Sequence, residues 1–258
     1  MDWRDEGLLL ASRPHGESAA IIDVLTLAHG RYRGVVHGGQ SRKLGPTLQP
    51  GTQLALEWRA RLEDHLGTYR VEPVRARAGA IMADRLALAA FNSMAALIVD
   101  LVPEREADAD LHGVTIECAE ALATRPEGWI GVYVAWEIRF LSILGFGLDL
   151  SRCAVTGARH DLAFVSPRTG RAVSREAGRP WANRLLPLAP FLVGEGPANL
   201  AGLRTALAMT GHFLAERVCP AMERDGLPET RHRLVERLDR LDGGLAEAQA
   251  PRLADMLG

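Results

Sequence analysis

The feature that most narrows the possible folds is a change of hydrophobic period near residue 80. Before it, five short segments alternate or are rich in β-branched residues: GLLLASRP (7–14), AAIIDVLT (19–26), RYRGVVHG (31–38), TQLALEWRAR (52–61) and GTYRVEPV (67–74). Pro, Gly and His-Gly turn signals separate them, which is the signature of strands joined by tight connections. Five antiparallel strands in so short a span have few ways to hide their edges, and the partly open Greek-key barrel known as the OB-fold is the commonest that binds oligonucleotides. After residue 80 the period becomes helical. Leu86, Ala90, Met94, Leu97 and Leu101 form one apolar stripe, which Pro103 ends, and a second helix is expected over residues 107–124. The run GWIGVYVAWEIRFLSILGFG (128–147) is apolar almost all round and reads as the central buried helix of this half. Helices resume over 199–218 and 229–241, after a long irregular stretch. The expectation is an α+β multidomain chain: an OB-fold barrel over 1–80, then a mainly helical domain over 81–258 with an irregular insert at about 148–183.

Charge adds a local signal. The 258-residue chain has a formal net charge of −2, so nothing about the whole molecule announces a polyanionic partner and any such contact must come from a patch. From Val24 to Leu56 there is no Asp or Glu, yet Arg31, Arg33, Arg42 and Lys43 are all present. A Gly-rich basic loop, HGGQSRKLG, lies at the centre of this window and is suited to an anion. It is not a nucleotide-hydrolysing phosphate loop, because Lys43 is followed by Leu44 and Gly45 rather than Ser or Thr. The eight His residues are scattered, with no paired metal or nucleophile motif. No apolar run approaches a membrane span, and Met1 to Gly16 mixes Asp, Arg and Glu where a signal peptide needs an apolar core, so a cytoplasmic location is expected. Cys118, Cys153 and Cys219, odd in number and far apart, suit reduced thiols.

The irregular insert has the look of a zinc knuckle without most of its ligands. Four ligands must close a tetrahedron, but Cys153 is followed at the paired position by Thr156, and no later Cys comes before Cys219. Cys153 with His160 supplies two ligands at most, so no metal and no cofactor are expected. Arg159, Arg168, Arg171, Arg175 and Arg179 outnumber Asp161 and Glu176 here, which reads either as a second basic face or as a solvated loop.

The run LLLASRPHGESAAIIDVLTLAHGRYRGVVHGGQSRKLGPTLQPG resembles the amino-terminal region of the RecO family of bacterial recombination mediators. The family pattern is carried here by Arg13, Glu17, Ser18, Thr26, Gly30, Gly38, Gly39, Arg42, Lys43, Leu48, Gln49 and Pro50. WEIRFLSILGFGLDLSRCAVTG and FVSPRTGRAVS are similar to later segments of the same family, so the resemblance covers most of residues 7–175 in order. Some members bind zinc with four Cys, of which this chain keeps only Cys153. The resemblance implies a non-enzymatic helper of homologous recombination. Such proteins bind single- and double-stranded DNA, anneal complementary strands, hold the acidic tail of single-strand-binding protein, join RecR and help load RecA.

In that light Arg31, Arg33, Arg42 and Lys43 are candidates to track a phosphate chain, with Gly38 and Gly39 loosening the loop and Tyr32 and Trp58 available for base stacking. The alternative for each is a solvated cation or a barrel-core aromatic. On the helix over 128–147 the only charges are Glu137 and Arg139, two residues apart and unable to face each other, so each must find a partner elsewhere. Arg139, among Trp136, Phe140 and Ile143, is the candidate receptor for the acidic tail; its alternative is a structural ion pair. Two rival classes remain: a nucleic-acid-processing enzyme, which would need an acid cluster or metal motif after residue 81, and an OB-fold adaptor that binds peptides without touching DNA.

Overall fold

The computed structural model describes residues 1–62, 65–124 and 128–241. The chain folds as two compact units, one formed by the residues up to Thr124 and the other by those after it.

The first unit is built on five strands, β1 (Asp2–His15), β2 (Ala19–Thr26), β3 (Gly30–Val36), β4 (Thr52–Arg59) and β5 (Thr68–Ala76). They close in the order β1-β2-β3-β5-β4, antiparallel throughout except for the β3–β5 pair, which is the OB-fold topology. Strand β1 begins five residues before the expected start because its first residues pair with seven of the eight residues of β4, from Asp2 opposite Arg59 to Leu8 opposite Gln53. Alternation sets the core. Leu54, Leu56 and Trp58 on β4 point inward with Ile22 and Val24 of β2 and Tyr32 of β3, while Gln53, Ala55, Glu57 and Arg59 point outward.

Three helices complete this unit: α1 (Ala78–Ala83), α2 (Arg85–Leu101) and α3 (Ala109–Thr124). Asp84 caps α2 by accepting hydrogen bonds from the backbone of Leu86 and Ala87, and the helix stops just before Pro103. Residue 80 marks the change from strand to helix, but the compact unit continues to Thr124 for a reason visible in its side chains. The buried Arg77 donates to Glu120 of α3 at 2.8 Å and to Gln53 of β4 at 3.0 Å, tying helix to barrel. Ile81, Ala87, Phe91, Met94, Leu97 and Ile98 are fully buried in the same unit. At the β2–β3 turn, Gly30 has φ +67° and a Cβ there would lie 2.0 Å from the Glu106 carbonyl oxygen, so only glycine fits.

The second unit centres on α4 (Trp129–Ile143), of which every residue from Trp129 to Ile138 is buried. Around it stand α6 (Leu200–Phe213), continued by a π-helical turn (Leu214–Val218) into the short α7 (Cys219–Ala221), and α8 (Glu229–Asp239). The buried Glu137 finds its partner 94 residues away: Arg231 of α8 donates to both carboxylate oxygens at 2.9 Å. Tyr133 donates to the same carboxylate at 2.9 Å, and the Thr210 hydroxyl of α6 donates to its other oxygen. The expected irregular insert is more ordered than its sequence suggests. Strands β6 (Leu162–Val165), β7 (Ala172–Ser174) and β8 (Leu186–Pro187) form a small sheet in the order β7-β6-β8, and α5 (Arg175–Gly178) runs into a 3-10 helix (Arg179–Arg184) between the last two. Among the described residues no helix is long and apolar enough to cross a membrane.

Candidate nucleic-acid interface

The basic loop between β3 and β4 is a chain of hydrogen-bonded turns. Gly39 and Ser41 donate to the carbonyls of Val36 and Gly38, Gly45 donates to Ser41, and Leu48 donates to Leu44 while its side chain is buried in the barrel core. The Gln40 amide reaches the β1–β2 turn, donating to the carbonyls of Gly16 at 3.1 Å and Ala19 at 2.7 Å. The expectation that both glycines loosen the loop needs correcting. Gly38 has φ +68° and open space around it, but Gly39 is a tight fit, where a Cβ would sit 2.7 Å from that of Ala20. The loop is pinned, and it holds Arg42 and Lys43 exposed; among the described residues neither has a carboxylate partner within ion-pair distance.

The other two cations of the acid-free window are neutralised by residues outside it. Arg31 is 8% exposed; it donates to Asp23 at 2.9 Å and to the Val102 carbonyl at 3.0 Å, and lies 3.5 Å from Glu104. Arg33 pairs with the same Glu104. Burial pushes the Asp23 carboxyl up, and the charges of Arg31 and Arg33 only partly pull it back. Two acids and two arginines thus form a closed cluster, and Arg31 keeps no surface for a phosphate. Tyr32 and Trp58 are likewise corrected. They are 5% and 1% exposed and meet edge to face inside the barrel at 5.1 Å, with Trp3 stacked on Trp58, so neither offers a face to a base.

Residues not singled out from sequence lie beside the loop. The outer faces of β4 and β5 border a 610 Å³ cleft lined by His37 and Leu44 on the loop side and by Glu57, Arg59, Tyr69, Arg70 and Glu72 on the strand side. Glu57 is ringed by Arg59 at 2.7 Å, Arg4 at 3.0 Å and Arg70 at 3.9 Å, and the bonds from Arg4 and Arg59 hold its carboxyl below the usual range. Within the cleft itself Arg59 and Arg70 are matched by Glu57 and Glu72. A second depression, of 660 Å³, shares Arg59 and Thr68 with the first and adds Arg61 and His65. The third is different: Asp5, Glu6, Glu57 and Glu72 outnumber Arg4 and Arg70 there, and a phosphate chain would be repelled. Glu57, Arg70 and Glu72 line this depression and the first alike, so among the described residues the unmatched positive charge here lies at the loop, with Arg42 and Lys43, and just past the close of β4, with Arg61. The missed arginines were readable by parity, since Arg59 follows the inward Trp58 and Arg70 follows the inward Tyr69.

In the second unit, Trp136 and Phe140 are 1% and 0% exposed and stack on each other at 4.8 Å, which makes them core rather than a receptor surface. Arg139 and Ile143 are half-buried. Cys153 is buried, and its sulfur accepts a hydrogen bond from the Ser174 backbone at 3.2 Å. Burial pushes this thiol up, but donors from Ser174 and Thr156 outweigh it and draw the thiol below its ordinary value. Where a metal knuckle would place ligands, Thr156 and Ser174 supply hydrogen bonds. Among the described residues no group of three or more His, Cys, Asp or Glu side chains converges on a point.

The family comparisons agree with this architecture. Residues 1–77 match the model for "Recombination protein O N terminal" and residues 82–222 the model for "Recombination protein O C terminal". The chain is 56% identical over 240 residues to the DNA repair protein RecO of Cereibacter sphaeroides strain ATCC 17025, covering 93% of this chain and 99% of that one. It is 52% identical to the protein of the same name from Dinoroseobacter shibae, with the same coverage, and 51% identical over 243 residues to that of Jannaschia sp. strain CCS1, covering 93% and 97%. With an OB-fold barrel, a helical second half and relatives matched over nearly their whole length, the chain belongs to the RecO family of DNA repair proteins.

Proposed function

We propose that this protein is a non-enzymatic mediator of homologous recombination. In this reading it binds single- and double-stranded DNA, anneals complementary strands, joins RecR and helps load RecA on DNA coated with single-strand-binding protein. It requires no cofactor. The observation that carries the DNA contact is the pinned loop that holds Arg42 and Lys43 exposed and without acidic partners among the described residues. A loop backbone already held in place has little freedom left to lose when its cations meet phosphates, and each contact releases counterions.

The test is a fluorescence titration of short single-stranded DNA at several salt concentrations, followed by annealing of complementary oligonucleotides. Changing Arg42 and Lys43 together to Ala is expected to weaken binding and to flatten the salt slope by about 0.7 for each lost contact. Unchanged affinity and slope in the folded double variant would exclude the loop, and no binding of DNA by the parent protein at any salt concentration would favour the peptide adaptor.

We infer further that the acidic tail of single-strand-binding protein is received near Arg139, with Ile143 as its apolar neighbour and the buried Trp136 and Phe140 only supporting them. Arg139→Ala is expected to weaken binding of a peptide copy of that tail by about 2 kcal/mol, the scale for a desolvated charge pair, with little change in melting temperature. A large fall in melting temperature with peptide affinity intact would make Arg139 structural instead.

A further inference from the structure

The second unit carries a feature that the barrel does not explain. Trp181 stands 56% exposed, whereas Trp58, Trp129 and Trp136 are each 3% exposed or less and Trp3 is stacked between His29 and Trp58. Among the described residues it is the one exposed large aromatic. An indole is the largest apolar side chain, and leaving one in water forfeits burial that a fold would ordinarily use.

Its setting is basic and rigid. Trp181 lies in the 3-10 helix between Arg179 and Arg184, both exposed, and the Arg184 guanidinium sits over the indole at 5.7 Å. Among the described residues neither Arg179 nor Arg184 has an acidic partner within ion-pair distance, while the nearby Arg175 is already paired with Asp161 at 3.0 Å. Both ends of the segment are fixed on the small sheet. At one end Gly178 lies so close to Phe164 that a Cβ would be 2.5 Å from the ring; at the other, Leu186 pairs with Val165 and Leu188 donates to the Ala163 carbonyl at 3.0 Å. The ring is therefore held out by a braced turn.

An exposed aromatic face flanked by unpaired guanidinium groups has the chemistry of a single-strand platform: the ring stacks on a base and the cations take the adjoining phosphates. A protein partner is less well served. The core of a protein interface needs contiguous apolar area, and the exposed residues that flank Trp181 in sequence are Arg179, Pro180, Ala182, Asn183 and Arg184. We propose that Trp181, with Arg179 and Arg184, forms a second contact site for single-stranded DNA, on the second unit. This rests on the DNA-binding function proposed above and adds a base-stacking element to it.

The experiment uses the full chain and two probes of equal length, an oligothymidylate and the same strand with its bases replaced by abasic sites. Trp181→Ala is expected to weaken binding to oligothymidylate about tenfold while leaving the abasic strand and the salt slope unchanged, because stacking needs a base and releases no counterion. Trp181→Phe, which keeps a ring, is expected to retain most of the affinity. Arg179→Ala with Arg184→Ala is expected to weaken both probes and flatten the slope. If the parent protein binds oligothymidylate and Trp181→Ala binds it equally well, the platform is overturned and the barrel loop remains. If the parent binds neither probe, the DNA-binding reading falls and this site with it. Loss of affinity for a partner protein, with oligothymidylate binding unaffected, would assign the surface to that protein and overturn the proposal.

Discussion

Glu137→Ala is expected to lower the unfolding free energy by about 3–5 kcal/mol, the cost of leaving one member of a buried ion pair without the other. Glu137 is fully buried and Arg231 is 4% exposed. Removing the carboxylate strands a guanidinium that keeps only its bonds to the Leu207 carbonyl at 2.9 Å and to Thr210 at 3.3 Å. Burial pushes the Arg231 group down, and the charge and hydrogen bonds of Glu137 more than restore it, so the arginine stays charged when its partner is present. Gly211 completes the seat, since a Cβ there would stand 2.7 Å from the guanidinium. Urea denaturation of the full chain is the measurement. Replacing both residues with apolar ones, Glu137→Met with Arg231→Leu, is expected to recover most of the loss, because a well-packed apolar pair carries no desolvation penalty. A single Glu137→Ala variant as stable as the parent would show that the cluster contributes nothing to holding α4, α6 and α8 together.

Trp58→Ala is expected to cost about 3–5 kcal/mol for a different reason, the loss of a large buried ring and the cavity it leaves. The ring is 1% exposed, packs on Trp3 and Tyr32, and donates to the Leu66 carbonyl at 3.2 Å. Gly67 is moulded around it, with φ +68° and space for no Cβ, which would fall 2.3 Å from the indole nitrogen. The milder Trp58→Phe separates core from stacking platform. As a core residue it is expected to lower the melting temperature while leaving the single-stranded DNA affinity of the folded protein unaltered. Lost affinity at full stability would return Trp58 to the binding surface.

Much of the fold was legible because strand and helix impose different periods, and those periods survive in Leu54, Leu56 and Trp58 on one side and in Leu86, Ala90, Met94 and Leu97 on the other. The insert was harder to read. Its strands are two to four residues long, too short for an alternation to register, and β8 pairs across an intervening helix. The candidate site was half legible. The acid-free window did mark the basic loop, but a window in sequence is not a neighbourhood in space. Asp23 lies one residue before it and Glu104 far beyond it, and together they close on Arg31 and Arg33. Tyr32 and Trp58 could have been assigned from strand parity, which they share with Val36 and Leu56. No local pattern announced that Arg231 would reach Glu137, because only the packing of α8 brings them together.

The closure of the barrel has a dynamic consequence. Four of its five ladders run for seven or eight residue pairs, but β3 and β5 are joined by two, Val35 with Thr68 and Val36 with Tyr69. A closed sheet opens first at its shortest ladder, so breathing motions and early exchange of backbone hydrogens belong at this seam rather than around the whole ring. Val36, Thr68 and Tyr69 also line the 610 Å³ cleft. A ligand bound in that cleft would lie across the shortest ladder of the barrel, so its binding would slow hydrogen exchange at the seam.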